Sequence, residues 1–270
     1  MIRLDSGLFT SEELELLESI REEEIKGMSN GFYGCKPTKY SSVKIMRQTI
    51  EEEGFQSFIL IGGKGHGKST YSLKSVAFYM MYYEGLDCAE AYLEALDRLA
   101  FSGEELMDTI EKYGDIVIWD DAGLHGSTYL WFIEGAQEYV VALSNWFDVA
   151  RTDLSILIMS TPTKKKLPPV IRTDPEALLV RVRKNGVKQV GGFSVRTSLA
   201  QAVRNLEPLY TDRIIREEVY RDYFTVYLPT PVYRYYKIIR DKYSAVARRS
   251  YRRALAKARE RGAIPLYEEY

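Results

Sequence analysis

Eight consecutive residues, Gly62-Gly63-Lys64-Gly65-His66-Gly67-Lys68-Ser69, have the types and spacing GxxxxGK[ST]. Glycines at these places leave backbone N–H groups clear to converge on phosphate oxygens, and a helix starting at the end of the run adds a favourable dipole. Lys68 is then placed to reach the terminal phosphates of a nucleotide, the Ser69 hydroxyl to ligate Mg²⁺, and Thr70 to follow in the same helix turn. A glycine turn that fits by chance would need no strand before it and no helix after it. Here an apolar run at residues 58–61 precedes the loop and helical spacing at 69–83 follows it. His66 inside the loop and His125 further on could touch phosphate or an attacking water. Positions between such glycines tolerate many side chains, so both are expected to be bystanders.

A second constellation is Ile116-Val117-Ile118-Trp119-Asp120-Asp121, an apolar strand ending in two carboxylates. Together the two segments resemble the Walker A and Walker B motifs of P-loop NTPases, and the paired acids are similar to those of the ASCE branch, which includes AAA+ and RecA-like ATPases. The resemblance implies ATP and Mg²⁺ as ligands, Asp120 holding the metal through water, and Asp121 orienting and activating the attacking water. Many relatives place glutamate there, and aspartate has a shorter reach. In that branch the strand beside the Asp120 strand ends in a polar residue that senses the γ-phosphate. Residues 154–159 end in Ser160-Thr161, which assigns the role to Thr161 with Ser160 as alternate; a hydroxyl that only caps the next turn is the plainer reading.

The resemblance also implies an arginine that a neighbouring subunit supplies to the transition state. Arg172, in Leu167-Pro168-Pro169-Val170-Ile171-Arg172, is the candidate, with Arg151, Arg181 and Arg183 in competition and a surface salt bridge the plainer role for each. Asp120 and Gly123 satisfy the DxxG of GTPases as well, but no Asn-Lys dipeptide occurs in the chain, so ATP is preferred to GTP. Trp-Asp-Asp-Ala-Gly after the second recognisable strand is similar to ATPases of archaeal plasmids and viruses.

These residues need a frame. Apolar, β-branched runs at 58–61, 116–119 and 154–159 read as buried parallel strands. Helical spacing at 69–83, 89–100 and 103–113, and again at about 129–149, alternates with them, which predicts an α/β doubly wound, mostly parallel sheet. Residues 177–184 and 187–197 flank Asn185-Gly186, a two-residue turn signal, so a β-hairpin is expected at one sheet edge. The remainder is expected to be helical, apart from an extended piece at 224–228 before Pro229-Thr230-Pro231. The division that follows is an acidic helical extension at 1–42, a P-loop ATPase core at 43–197 and a basic, Tyr-rich helical region at 198–270. Thr10 and Glu13 have capping-box spacing at the head of the first helix, with Leu14, Leu16, Leu17 and Ile20 as its stripe.

The net charge of −1 hides an asymmetry: residues 1–30 hold eight acidic and three basic residues, and 232–262 hold eleven basic and two acidic. The basic segment interleaves Tyr233, Tyr235, Tyr236, Tyr243 and Tyr251 with Arg234, Lys237, Arg240, Arg248, Arg249, Arg252 and Arg253. Two readings stay open for it, DNA binding by phosphate contact and stacking or pairing with the acidic N-terminal helix. Four Asn and five Gln in 270 residues, with abundant Glu, Lys, Arg and Tyr, suit a thermophile. Cys35 and Cys88 form no CxxC pair and are expected to be reduced. No apolar stretch is long enough for a membrane span and no basic-then-apolar leader opens the chain, so a cytoplasmic protein is expected. The function expected is ATP hydrolysis coupled to DNA work (helicase loading, translocation or packaging) in a homo-oligomer. A slow assembly switch and a small-metabolite phosphotransferase are its rivals.

Overall fold

The computed structural model describes residues 8–29, 31–122, 137–167, 169–190, 192–206 and 215–260. His125 and Gly123 lie outside them. Seven described strands form one sheet: β1 (Gln56–Ile61), β2 (Leu99–Ala100), β3 (Ile116–Trp119), β4 (Ile156–Thr161), β5 (Leu178–Val190), β6 (Phe193–Leu206) and β7 (Ile215–Thr225), in the order β2-β3-β4-β1-β5-β6-β7. From β2 to β5 all neighbours are parallel, and β5-β6-β7 is an antiparallel meander. The α/β architecture is therefore a mixed, mostly parallel sheet, compatible with a P-loop fold.

Alternation along the parallel strands sorts side chains onto two apolar faces. Phe58, Leu60, Ile116, Ile118, Ile156 and Ile158 face one cluster, joined by helices α2 (Ser41–Glu51), α3 (Lys68–Tyr79) and α4 (Cys88–Asp97). Ile59, Val117, Trp119, Leu157 and Met159 face the other, covered by α5 (Gly103–Tyr113) and by α6 (Gln137–Val149) through Trp146 and Phe147. Strands buried on both faces have no polar side to display, which is why they read as unbroken apolar runs. Two further helices matter for the site, short α7 (Pro169–Arg172) and long α8 (Thr230–Glu260).

Several expectations change. β6 runs across residue 197 and β7 follows, so the sheet continues where a helical region was expected. β7 escaped notice because its polar side chains mask a period of two, with Tyr220, Asp222 and Phe224 buried and Arg221 and Tyr223 exposed. The hairpin turn lies not at Asn185-Gly186 but beyond it: Val190 pairs with Phe193, and Gly192 takes φ +84°. Asn185-Gly186 forms instead a bulge between Lys184 and Gly186, with Gly186 at φ +115°. The strand missing between residues 83 and 115 is the two-residue β2, too short for any periodicity.

The capping box at Thr10 and Glu13 is present at α1 (Ser11–Ser19), yet Leu16 is 44% exposed, and the buried stripe is Leu17, Ile20 and Ile25. A π-helical turn over Ile20–Ile25 carries it into the main core, where Arg21 holds Asp97 of α4 in a bidentate pair at 2.7 and 2.6 Å. Cys35 and Cys88, expected to be reduced, form a disulfide across 53 residues with Cα atoms 5.3 Å apart. Local spacing could not reveal it, since the fold, not the sequence, brings the loop at 31–40 onto the start of α4.

Tyr40 at the head of α2 offers its helix no side-chain cap. Asp222 of β7 supplies one, accepting from the Ser41 and Ser42 amides at 2.7 and 3.2 Å and from the Tyr71 hydroxyl at 2.7 Å. Asp222→Ala would leave these three donors without their acceptor. A loss of about 3 kcal/mol in denaturant unfolding is expected; a loss under about 0.5 kcal/mol would show that water replaces the carboxylate.

Candidate functional site

The glycine-rich loop is wedged at the C-terminal ends of the parallel strands. A Cβ on Gly62 would lie 2.4 Å from the Val182 carbonyl oxygen of β5. One on Gly67, at φ +93°, would lie 3.0 to 3.1 Å from Val226 and Phe224. Both positions thus need glycine for close approach as well as for backbone conformation. The His66 ring hydrogen-bonds the Val182 carbonyl through Nδ1 at 3.1 Å, and its own carbonyl accepts from Ser198 at 2.7 Å. It braces the loop against β5 and β6.

Gly67 leads directly into α3, whose first residues are Lys68, Ser69 and Thr70. Lys68 Nζ curls back over the loop and donates to the Gly62 carbonyl at 2.9 Å, with the Gly63 carbonyl at 3.4 Å. Burial pushes its pKa down, and Asp120 and Asp121 partly oppose this. Ser69 Oγ donates to the Asp120 carboxylate, at 3.0 Å from Oδ1 and 2.9 Å from Oδ2. Asp120 is fully buried and also accepts from Ser160 on Oδ1 and from Tyr236 on Oδ2, the latter at 2.7 Å. A hydroxyl and a carboxylate in contact, both oxygen donors, suit a hard divalent cation whose other ligands are phosphate oxygens and water. Among the described residues no group of three or more His, Cys, Asp or Glu could hold a metal by itself.

Asp121 adopts φ +50°, in the left-handed region that a non-glycine residue rarely enters, and such strain clusters at functional positions. Its amide donates to Ser160 Oγ at 3.1 Å and its carboxylate lies 3.4 Å from Arg240. Burial raises its pKa most, the neighbouring Asp120 raises it further, and Arg240 and Lys68 pull it back. Two adjacent carboxylates thus have distinct surroundings: Asp120 accepts hydroxyls on both oxygens, while Asp121 is held back from ionising. That division suits a metal holder beside a proton acceptor.

Ser160 of β4, the alternate, is the hydroxyl that joins the two acids. Thr161 is buried and donates to the Thr163 carbonyl at 3.1 Å, the plainer capping arrangement. Arg172 ends α7, and neither it nor Arg181 or Arg183 lines the cavity in front of the loop; the Arg151 side chain lies outside the described residues. The cations that do line it, besides Lys68, are Lys64, Lys166, Arg196, Arg240 and Arg248.

This cavity, about 720 Å³, lies between the loop and α8 and has the capacity of a nucleotide pocket. Val232, Tyr235, Tyr236 and Ile239 of α8 are buried, Tyr243 stacks on Phe101 with centroids 4.9 Å apart, and Lys242 and Arg234 pair with Glu13 and Glu24 of the acidic N-terminal segment. The first half of the basic segment is therefore built into the protein, and it contributes Tyr236 and Arg240 to the site. Sequence reading placed both in a basic segment whose tyrosines would stack on bases or pack on the core, and gave neither a place in the site. The signal that could have found them is the spacing 232, 235, 236, 239 and 243, one apolar helical stripe under the charges.

No protein-family model matches the chain. It is 28% identical over 191 residues to uncharacterized protein B-251 of Sulfolobus spindle-shape virus 1, a match spanning 68% of this chain and 72% of that protein. Among solved structures it is similar to the flagellar accessory protein FlaH from Methanocaldococcus jannaschii, at 14% identity and a TM-score of 0.29, covering 56% of this chain and 78% of that one. At that TM-score the likeness carries no weight for function, and the assignment of the site rests on its own residues.

Proposed function

We propose that this chain binds ATP with Mg²⁺ and hydrolyses it, and that hydrolysis is coupled to work on DNA in the cytoplasm, in a homo-oligomer. The observation that carries the ATPase half is the convergence of Lys68, Ser69 and Asp121 on one cavity at the C-terminal ends of β1 and β3, with the buried Asp120 hydrogen-bonded to Ser69 behind them. The loop amides at 62–69 would hold phosphate oxygens, with Lys68 leaving the Gly62 carbonyl for them. Ser69 and Asp120 would hold Mg²⁺, which when bound neutralises charge on the phosphates. Asp121 would take the proton of the attacking water. Arg240, 3.4 Å from Asp121, would act within the chain where Arg172 was expected to act from a neighbour.

Support for the DNA half is indirect: it comes from the basic C-terminal segment, of which Arg248, Arg249, Arg252 and Arg253 remain exposed. No described helix is long and apolar enough to cross a membrane. The Cys35–Cys88 disulfide joins the amide-poor composition in favour of a hot habitat, since intracellular disulfides persist in hyperthermophiles. A specific contact favours a slow switch as the second reading. The Tyr236 hydroxyl occupies Asp120 Oδ2, so turnover would wait on a shift of α8.

Hydrolysis of ATP with Mg²⁺, measured with and without DNA, tests both halves. Lys68→Ala is expected to abolish turnover and the ATP-induced rise in melting temperature. Turnover that survives this change would remove the site from the reading; turnover that Lys68→Ala removes but DNA never stimulates would favour the switch.

A further inference from the structure

A second cavity, about 1370 Å³, lies beside the C-terminal end of β7. Its walls are the loop at 31–40, α3 and the turn after it, the start of α4, and the outer part of the β5–β6 hairpin. Four lysines line it, Lys36, Lys39, Lys74 and Lys188, against one carboxylate, Asp87, which already accepts the Glu90 amide as the cap of α4. In a chain of net charge −1, that is a local concentration of cations and not a reflection of composition. Among the described residues none of Lys36, Lys39 and Lys188 has a carboxylate within ion-pair distance, and all three are exposed.

Aromatic faces are interleaved with these charges. Phe32, Tyr33 and Tyr223 line the cavity and are 42%, 37% and 58% exposed. Exposed rings gathered in one concave, cationic place are what a ligand with flat faces on an anionic backbone requires. Lysines carry point charge without the donor fork that reads base edges, so contact with such a ligand would be independent of its sequence. Paired bases keep their faces inside the stack, and this favours a single strand. The walls are fixed in advance, because the disulfide between Cys35 and Cys88 ties the aromatic loop to α4.

We propose that this cavity is a binding groove for single-stranded nucleic acid, with Lys36, Lys39 and Lys188 meeting backbone phosphates and Phe32, Tyr33 and Tyr223 stacking on bases. The proposal rests on the DNA half of the reading above and is independent of hydrolysis. Its place in the fold gives it a route to the nucleotide: Tyr223, Phe224 and Thr225 line the groove, and Val226, Tyr227 and Leu228 line the pocket at Lys68. Tyr33 contacts Tyr227 across that boundary, ring centroids 4.8 Å apart. Lys74, on the helix that begins at Lys68, donates to the Thr225 carbonyl and hydroxyl at 3.0 and 2.9 Å.

The test is the fluorescence anisotropy of a labelled oligothymidylate with the full chain, without nucleotide or metal. Tyr33→Ala and Tyr223→Ala are each expected to weaken binding about 5- to 150-fold, and Tyr223→Phe to restore it. Lys188→Ala should reduce the slope of log affinity against log salt by about 0.7. The double change Arg252→Ala, Arg253→Ala on the far half of α8 should weaken binding less than either tyrosine change does. Affinity lost with the α8 arginines but kept in the groove variants would overturn the proposal, as would a failure to bind or equal affinity for a duplex. Oligonucleotide binding by a native chain that shows no turnover would sink the ATPase reading and leave the groove standing.

Discussion

Asp121→Asn is expected to bind ATP and Mg²⁺ as the native chain does and to hydrolyse ATP roughly 10²- to 10⁴-fold more slowly, the range for loss of a general base. The amide keeps the size of the side chain and its position 3.4 Å from Arg240 but cannot accept a proton from water. Asp120, which holds Ser69, Ser160 and Tyr236, is untouched by the change, so the predicted metal site and nucleotide affinity stay. The native rate should also carry the acid limb of its pH profile above the usual carboxylate range. Burial and the charge of Asp120 raise the Asp121 pKa, so the base form is lost at a higher pH than for an exposed aspartate. Single-turnover rates across pH check both points. An Asp121→Asn chain that turns over at the native rate would remove Asp121 from the chemistry and leave Arg240 and Tyr236 as the groups to examine.

The parts of this site that were legible in sequence are those whose chemistry demands contiguous residues. A phosphate cradle needs glycines at fixed steps, and Asp120 and Asp121 end an apolar strand. The loop, the two acids and the parallel strands under them could therefore be read directly. What could not be read comes from distant elements. Tyr236 reaches Asp120 across 116 residues, and Arg240 reaches Asp121 across 119. Arginines and lysines around them looked like a solvated tail, although their long side chains can remain in water while tyrosines one step round the helix are buried. Ser160 and Thr161 are adjacent and chemically alike, and only the strand's pleat decides which hydroxyl meets the acids. Asp222 is the same kind of case, a carboxylate on a strand that caps a helix about 180 residues away.

Lys74 gives a prediction of similar weight for stability. Its side chain is buried beside Thr225, and desolvation pushes its pKa down from 10.5 to about 7. A lysine depressed in this way binds fewer protons in the folded chain than in the unfolded one between about pH 7 and 10.5, so its contribution to stability rises with pH through that window. The shift corresponds to about 4 kcal/mol of destabilisation at pH 7, of which about 2 kcal/mol is regained by pH 9. Lys74→Met keeps the apolar stem and removes the titration. The free energy of unfolding of the native chain should therefore gain about 2 kcal/mol over Lys74→Met between pH 7 and pH 9, measured by denaturant titration at each pH. Lys68, also depressed by burial, contributes with the same sign to both proteins and cancels in the comparison. Equal pH dependence in the two would mean that Lys74 stays charged in the fold. Thr225 and the groove would then hold an ammonium at neutral pH, and a phosphate at the cavity floor would meet a full positive charge where a half-neutral amine is expected.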